Sequence, residues 1–159
     1  LPQESVKMRP SLKIKIEIDK TPPMGFSTEE KLLLKPFSFY VKCFILSDLF
    51  AGKMHALLFR KWNGRVKGRD WFDMEWYIRK GVPLNLEHLL IRSIDSGDWK
   101  KNSITKEQFL TMLQKKIKSV SFKSIREDIV RFIPDDKMIE IWSPQYFNDL
   151  AQKIKFTSK

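Results

Sequence analysis

The sequence predicts an α+β fold in which a small sheet of two to four strands is followed by a helical bundle. Apolar and polar residues alternate early in the 159-residue chain, which is typical of strands. From about residue 47 the apolar residues recur every three to four positions, which is typical of helices. Strands that precede helices indicate α+β rather than a parallel α/β sheet. We therefore expect a β-rich part over residues 1–46 and a helical part over residues 47–159, packed as one unit.

The strands are predicted from alternation and from β-branched or aromatic composition. Leu12–Asp19 alternates strictly, so its leucine and three isoleucines would form one buried face. Lys31–Leu34 is predicted to be extended, and Phe37–Leu46 to be a second, more buried strand. Because two or three strands make a poor independent sheet, we expect further strands or the helices to cover them.

The helices are predicted from apolar spacing and from capping residues. The first would be capped by Ser47 or Asp48 and reach about Trp62. Thr105 and Gln108 have the spacing of a capping box. The remaining predicted helices are Arg69–Lys80, Leu86–Ser96, Thr105–Ser119, Phe122–Phe132 and Pro144–Lys155, and Ile139–Trp142 is predicted to be a short extended segment.

Composition narrows the classes of function. Thirty basic and nineteen acidic residues give a net charge of +11, which suits an anionic partner but is equally typical of a solvated surface. The single cysteine, Cys43, cannot form an intramolecular disulfide, and its apolar surroundings predict a buried, unreactive thiol. No apolar stretch approaches the roughly 20 residues of a membrane span. We therefore expect a cytoplasmic protein that does not interact with a membrane.

The densest group of polar residues lies between Lys53 and Lys80, where eight residues are basic and three acidic. Lys53, Leu57 and Arg60 have the spacing of residues on one helix face. Asp70 and Asp73 have such a spacing too, and Arg69 directly precedes Asp70. A lysine can hold a phosphate as a point charge, arginines can grip phosphate oxygens, and carboxylates can orient these cations or move a proton. An ordinary helix surface with one Arg–Asp pair explains the same residues, and the pattern alone favours that explanation.

Three other groups of residues could take part in function, and a structural role is the simpler interpretation for each. Glu17 and Asp19 could bind Mg²⁺ through oxygen ligands, although a solvated strand edge is the simpler interpretation. His55 and His88 have no metal-ligand spacing around them. Aromatic residues among the basic ones could stack on bases, but core packing is favoured for them: Trp62, Trp71, Trp76 and Tyr77.

The order of these polar residues resembles that of the AbiEii/AbiGii family of nucleotidyltransferase toxins. In that family a lysine in a helix of the form Ala-Glu-Lys-x-x-Ala precedes an arginine and then Arg-Asp-x-x-Asp, and an alternating strand comes before them. Here Lys53, Arg60 and the run Arg69-Asp70-Trp71-Phe72-Asp73 follow in that order, within a matching block of about residues 12–83. Gly52 stands where the family usually has glutamate.

The resemblance implies roles for individual residues. It assigns Lys53 to the nucleotide phosphates, with Arg60, Arg69 and Asp73 in the phosphate-binding group. It assigns catalysis to Asp70, supported by Lys53 and by Glu17 as a third carboxylate.

The resemblance also implies an activity, which is transfer of a nucleoside monophosphate from an NTP to an acceptor such as tRNA. The enzyme would be a toxin of a toxin–antitoxin or abortive-infection system, with Mg²⁺ and NTP as cofactors and a cognate antitoxin as partner.

The family's Gly-Ser turn and Asp-x-Asp pair are missing from this sequence, which begins at Leu1 without methionine. We therefore expect the carboxy-terminal part of such an enzyme, retaining a remnant of its sheet. We expect this part to be inactive alone and to bind no cofactor. At most, Glu17 or Asp19 would be left as a metal ligand. The alternative is a non-catalytic basic module that binds RNA or a protein.

Overall fold

The computed structural model describes residues 13–18, 20–22, 24–61 and 66–158. Within them a two-stranded antiparallel sheet precedes six α-helices, which confirms the α+β class. The elements are β1 (Thr28–Leu33), β2 (Phe39–Phe44), α1 (Leu46–Phe59), α2 (Gly68–Arg79), α3 (Leu86–Asp95), α4 (Lys106–Ser119), α5 (Phe122–Ile129) and α6 (Pro144–Ala151). Two short 3₁₀-helices, Val130–Phe132 and Asp136–Ile139, lie between α5 and α6.

The two strands form a hairpin whose large apolar side chains are mostly exposed. Its register runs from Thr28 opposite Phe44 to Leu33 opposite Phe39. Tyr40 is 71% exposed and Val41 is half-buried, so β2 is more buried than residues 13–18, as predicted, but only in part. Cys43 is only half-buried. The reason is that no second layer of the described chain covers this pair of strands on both faces.

The first predicted strand, Leu12–Asp19, does not form over the residues that the structure describes. Residues 13–18 form no sheet, and Ile14, Ile16 and Ile18 are 74%, 82% and 81% exposed. Alternation identifies residues that could share a face, but a strand also needs a neighbour to hydrogen-bond its backbone, and no described strand pairs with this segment. Leu12 and Asp19 lie outside the described residues.

The core lies among the helices. In it α1 packs on α2 and α3, α2 packs on α5, and α4 packs on α6. Trp71 of α2 meets the rings of Phe122 and Phe147 edge-on, with centroids 5.2 and 5.0 Å away. Trp71 and Tyr77 are therefore core residues as predicted, whereas Trp76 is 40% exposed. Among the described residues, none of the helices is both long and apolar enough to cross a membrane.

Several helix limits differ from those predicted. Helix α1 begins at Leu46 after Ile45, without a side-chain cap, so Ser47 and Asp48 do not cap it. The extended segment predicted over Ile139–Trp142 is instead the end of a 3₁₀-helix and a turn, because the buried Trp142 anchors it against the helices.

The capping box of α4 is confirmed by hydrogen bonds in both directions. Thr105 N–H donates to Gln108 Oε1 at 2.9 Å, and Gln108 N–H donates to Thr105 Oγ1 at 3.2 Å. Helix α6 ends earlier than predicted, at Ala151, whereas α5 continues as a 3₁₀-helix to Phe132, the predicted end of that helix.

Candidate functional site

A cavity of about 730 Å³ lies where α1, α2 and α3 meet the base of the hairpin and the first 3₁₀-helix. Five of its lining side chains are basic and three are acidic. The charged and imidazole side chains are those of Lys53, Arg60, Lys67, Arg69, Arg92, Asp48, Asp70, Asp73 and His88. All five polar residues that the sequence analysis grouped between positions 53 and 73 are therefore brought to one cavity.

Lys53 joins α1 to α2 at this cavity. Its Nζ lies 2.7 Å from Asp73 Oδ2, and both side chains remain partly exposed. Leu57, one turn further along α1, is buried in the core, whereas the Lys53 side chain is partly exposed. Arg60 nevertheless reaches the cavity, because it follows the end of α1 in an extended conformation.

Asp70 is the buried carboxylate of the site. It lies in the first turn of α2 with 7% of its surface exposed, near the positive end of the helix dipole. Burial raises the pKa of Asp70, although the charges of Lys67, Arg60 and Lys53 oppose the increase. A carboxylate with a raised pKa is a stronger base than an exposed aspartate, which suits a residue that accepts a proton.

Arg69 is held at the cavity by an aromatic ring. The carbon of its guanidinium lies 4.7 Å from the centroid of Phe132, which also lines the cavity. Stacking on a ring orients a guanidinium while its N–H groups point outward from the edge of the plane. Such an arginine can grip phosphate oxygens.

Four charged or imidazole residues of the cavity were missed by the sequence analysis as members of a site: Asp48, Lys67, His88 and Arg92. Asp48 accepts hydrogen bonds from Ser27 N–H at 2.6 Å and from Asn85 Nδ2 at 2.7 Å. Asn85 in turn caps α3, so the buried Asp48 fixes where that helix begins.

His88 and Arg92 belong to α3 and line the cavity from it. Their spacing of four places them on one face of that helix, and this was the only signal available in the sequence. The packing of α3 against α1, which no local pattern reveals, turns that face towards Lys53.

The model of the AbiEii family, described as the nucleotidyl transferase toxin of type IV toxin–antitoxin systems, matches residues 2–153. The chain belongs to the AbiEii family. Comparisons with curated proteins and with solved structures gave no match. The resemblance drawn from Lys53 and Arg-Asp-x-x-Asp is thus confirmed, and it extends through the helical tail to α6. A nucleotidyltransferase function as a toxin follows from this membership.

The carboxylates expected to hold a metal form no metal-binding group among the described residues. Glu17 is exposed, forms an ion pair with Lys15 and does not line the cavity, so its role as a third carboxylate stays a prediction. Asp19 lies outside the described residues. Within the parts of the chain that the structure describes, no three His, Cys, Asp or Glu residues form a group that could hold a metal ion. No metal-dependent step is assigned to the described residues.

His55 forms a polar contact elsewhere on α1. Its Nε2 lies 3.0 Å from Ser96 Oγ and 3.2 Å from Asp98 Oδ2. A catalytic relay needs the hydroxyl and the carboxylate on opposite ring nitrogens, whereas here both meet the same one. This contact therefore ties α1 to the end of α3 and is not a nucleophilic centre.

Proposed function

We propose that the cavity binds the triphosphate of an NTP, and that this AbiEii chain serves transfer of a nucleoside monophosphate to an acceptor such as tRNA. The observation that carries this proposal is the convergence of Lys53 of α1 with Arg69 and Asp70 of α2 on one basic cavity. A volume of about 730 Å³ is within the range of small-molecule sites.

The contacts suggest a role for each side chain. Lys53 would turn from Asp73 to the phosphates as a point charge, and Arg60 and Arg69 would grip phosphate oxygens. Asp70 would take the proton of the attacking hydroxyl group, for which its raised pKa suits it. Pyrophosphate would leave from the side of the cations, which stabilise its charge.

A calorimetric titration with inorganic tripolyphosphate tests the phosphate site. We expect Lys53→Met to weaken binding about tenfold, since it removes a direct charge-assisted contact. Lys118→Met is the matched control, because it removes the same charge from the exposed last turn of α4, outside the cavity. Equal effects of the two variants would mean that only net charge attracts the anion.

Catalysis by this chain alone is not expected, because its sequence lacks the Asp-x-Asp pair of the family and nucleotidyl transfer relies on metal ions to neutralise the triphosphate. The test is incubation with labelled NTPs, Mg²⁺ and total tRNA. Robust labelling of the tRNA by the chain alone would refute this expectation.

The proposal also includes a location and a partner. The location is the cytoplasm. The partner is a cognate antitoxin, because the family model is that of a toxin–antitoxin system.

A non-catalytic RNA-binding module is the second candidate. It is favoured by a neighbouring cavity of about 800 Å³ whose basic lining includes Lys61, Lys67 and Lys116. In a filter-binding assay, RNA retention by such a module would fall steeply with salt and stay unchanged by Lys53→Met. Loss of RNA binding in Lys53→Met would instead link RNA to the nucleotide cavity.

A further inference from the structure

Two buried nitrogen atoms, on residues that line the cavity, have no hydrogen-bond partner among the described residues. They are Nδ1 of His88, a residue only 3% exposed, and Nε of Arg92, and both atoms are buried. Buried polar groups in native proteins nearly always have a partner, because their desolvation is otherwise uncompensated. Since His88 and Arg92 are one turn apart on α3, both side chains lie on the face of that helix that lines the cavity.

The two nitrogens have opposite hydrogen-bonding character. Burial lowers the pKa of His88 despite the nearby charge of Asp48, so the ring is neutral at pH 7. The backbone of Gly25 and Met24 hydrogen-bonds the imidazole. Because Nδ1 has no partner, the other ring nitrogen makes this bond and carries the proton. Nδ1 is then an acceptor, whereas Nε of an arginine is always a donor.

Arg92 reaches the cavity next to the lysine of the proposed phosphate site. Its guanidinium lies against Gly52, where a Cβ atom would be 3.7 Å from both Cζ and Nε. Gly52 immediately precedes Lys53, and Gly52, Lys53 and Arg92 all line the same cavity. A ligand that contacts Lys53 through its phosphates can therefore contact α3 through its next chemical group.

We propose that His88 and Arg92 bind the ribose hydroxyl groups of the nucleotide whose phosphates lie at Lys53. A hydroxyl group both donates and accepts, so a vicinal diol can satisfy the imidazole acceptor and the guanidinium donor together. A phosphate would satisfy Arg92 but present only lone pairs to Nδ1. An amino group of a base would do the reverse. This inference rests on the proposed function, because it requires a nucleotide in the cavity.

The experiment compares ribonucleoside triphosphates with their 2′,3′-dideoxy analogues by calorimetry on the full chain. The ribonucleotide should bind at least about fivefold more tightly, the usual effect of one hydrogen bond. Arg92→Met, at a half-buried position, should bring this ratio close to one, as should His88→Phe, which preserves the ring. Lys53→Met removes the same charge as Arg92→Met but should weaken both ligands equally and leave the ratio unchanged.

The outcomes separate this inference from the proposed function. Binding of tripolyphosphate together with a ratio near one in the unaltered protein overturns the ribose site alone. So does a ratio that Arg92→Met, checked as folded by circular dichroism, leaves unchanged, since water would then satisfy both nitrogens. Failure of the unaltered protein to bind tripolyphosphate at all removes both proposals.

Discussion

Glu75 shows how one buried side chain holds the helix that carries the site. It accepts hydrogen bonds from Trp142 Nε1 and from the Tyr146 hydroxyl, both at 2.7 Å, and so joins α2 to the start of α6. Arg79 Nη1 lies 3.7 Å away. Burial and the hydrogen bond to Glu75 raise the pKa of Tyr146 to about 12, which keeps its hydroxyl a donor at any physiological pH.

Removing this carboxylate should destabilise the fold. Glu75→Ala leaves the buried Trp142 donor and the half-buried Tyr146 donor without an acceptor, so we expect it to lower the free energy of unfolding by about 3 kcal/mol in a urea titration. Glu75→Gln keeps an acceptor for Trp142 and should cost about 1 kcal/mol. If the two substitutions cost the same, the hydrogen bonds to Trp142 and Tyr146 do not contribute as described.

Asp70 should limit stability at neutral pH. Its pKa is raised above the ordinary 3.8, mainly by burial, so its contribution to stability is present below that value and is lost as the pH rises through the folded-state pKa. Asp70→Asn carries no charge to desolvate and should therefore be more stable than the unaltered protein at pH 7. This difference in the free energy of unfolding between Asp70→Asn and the unaltered protein should shrink towards pH 4. Asp136→Asn, at an exposed position, is the control and should show no such trend.

The residues of the site were only partly predictable from the sequence. Lys53, Asp70 and Asp73 were found because their order and spacing are a family motif. Arg92 and His88 lie on a different helix, and only the packing of α3 on α1 brings them to the same cavity. Sequence spacing reports which residues share one helix face, whereas the relation between faces of different helices depends on the whole core.

At the scale of elements, two glycines mark how closely the helices approach. A Cβ atom at Gly68 would lie 2.5 Å from the backbone oxygen of Ile125 and 2.8 Å from Cβ of Ile129. Gly68 N–H also donates to Asp128 Oδ2 at 2.9 Å. Helix α2 can therefore begin against α5 only with glycine at this position. A Cβ at Gly52 of α1, in contrast, would make only ordinary van der Waals contacts.

Alanine should therefore have opposite effects at the two positions. Gly68→Ala should lower the free energy of unfolding by about 2 kcal/mol, because it overpacks the contact of α2 with α5. Gly52→Ala should raise it by about 0.5–1 kcal/mol, because alanine is the better helix former in the interior of α1. Thermal unfolding of both variants measures this. A stabilised Gly68→Ala would show that the two helices are further apart than described.

Helices were predicted more reliably than strands, and the reason is physical. A helix satisfies its backbone within one segment, so the periodicity and caps of α4 were sufficient to locate it. A strand depends on a neighbour, so the alternation over residues 13–18 predicted a strand that the structure does not form. The division into a β-rich part and a helical part at residue 46 stays a prediction. In the structure β2 ends at Phe44 and α1 begins at Leu46.

At the scale of the whole molecule, the basic surplus is distributed rather than concentrated. The chain carries +11, but the cavity has only two more basic than acidic lining side chains. Others, such as Lys118 in the last turn of α4, lie elsewhere on the surface. Long-range charge therefore attracts any polyanion, and only the side chains at the cavity can select a polyphosphate.

The central claim is that a polyphosphate binds in the cavity between α1 and α2. A titration of ¹⁵N-labelled protein with tripolyphosphate, followed by backbone amide chemical shifts, locates the binding directly. The largest shifts are predicted at residues 52–54 and 67–70, with residues 115–119 at the end of α4 unaffected. Shifts that are largest at residues 115–119, or spread evenly over the basic surface, would contradict it.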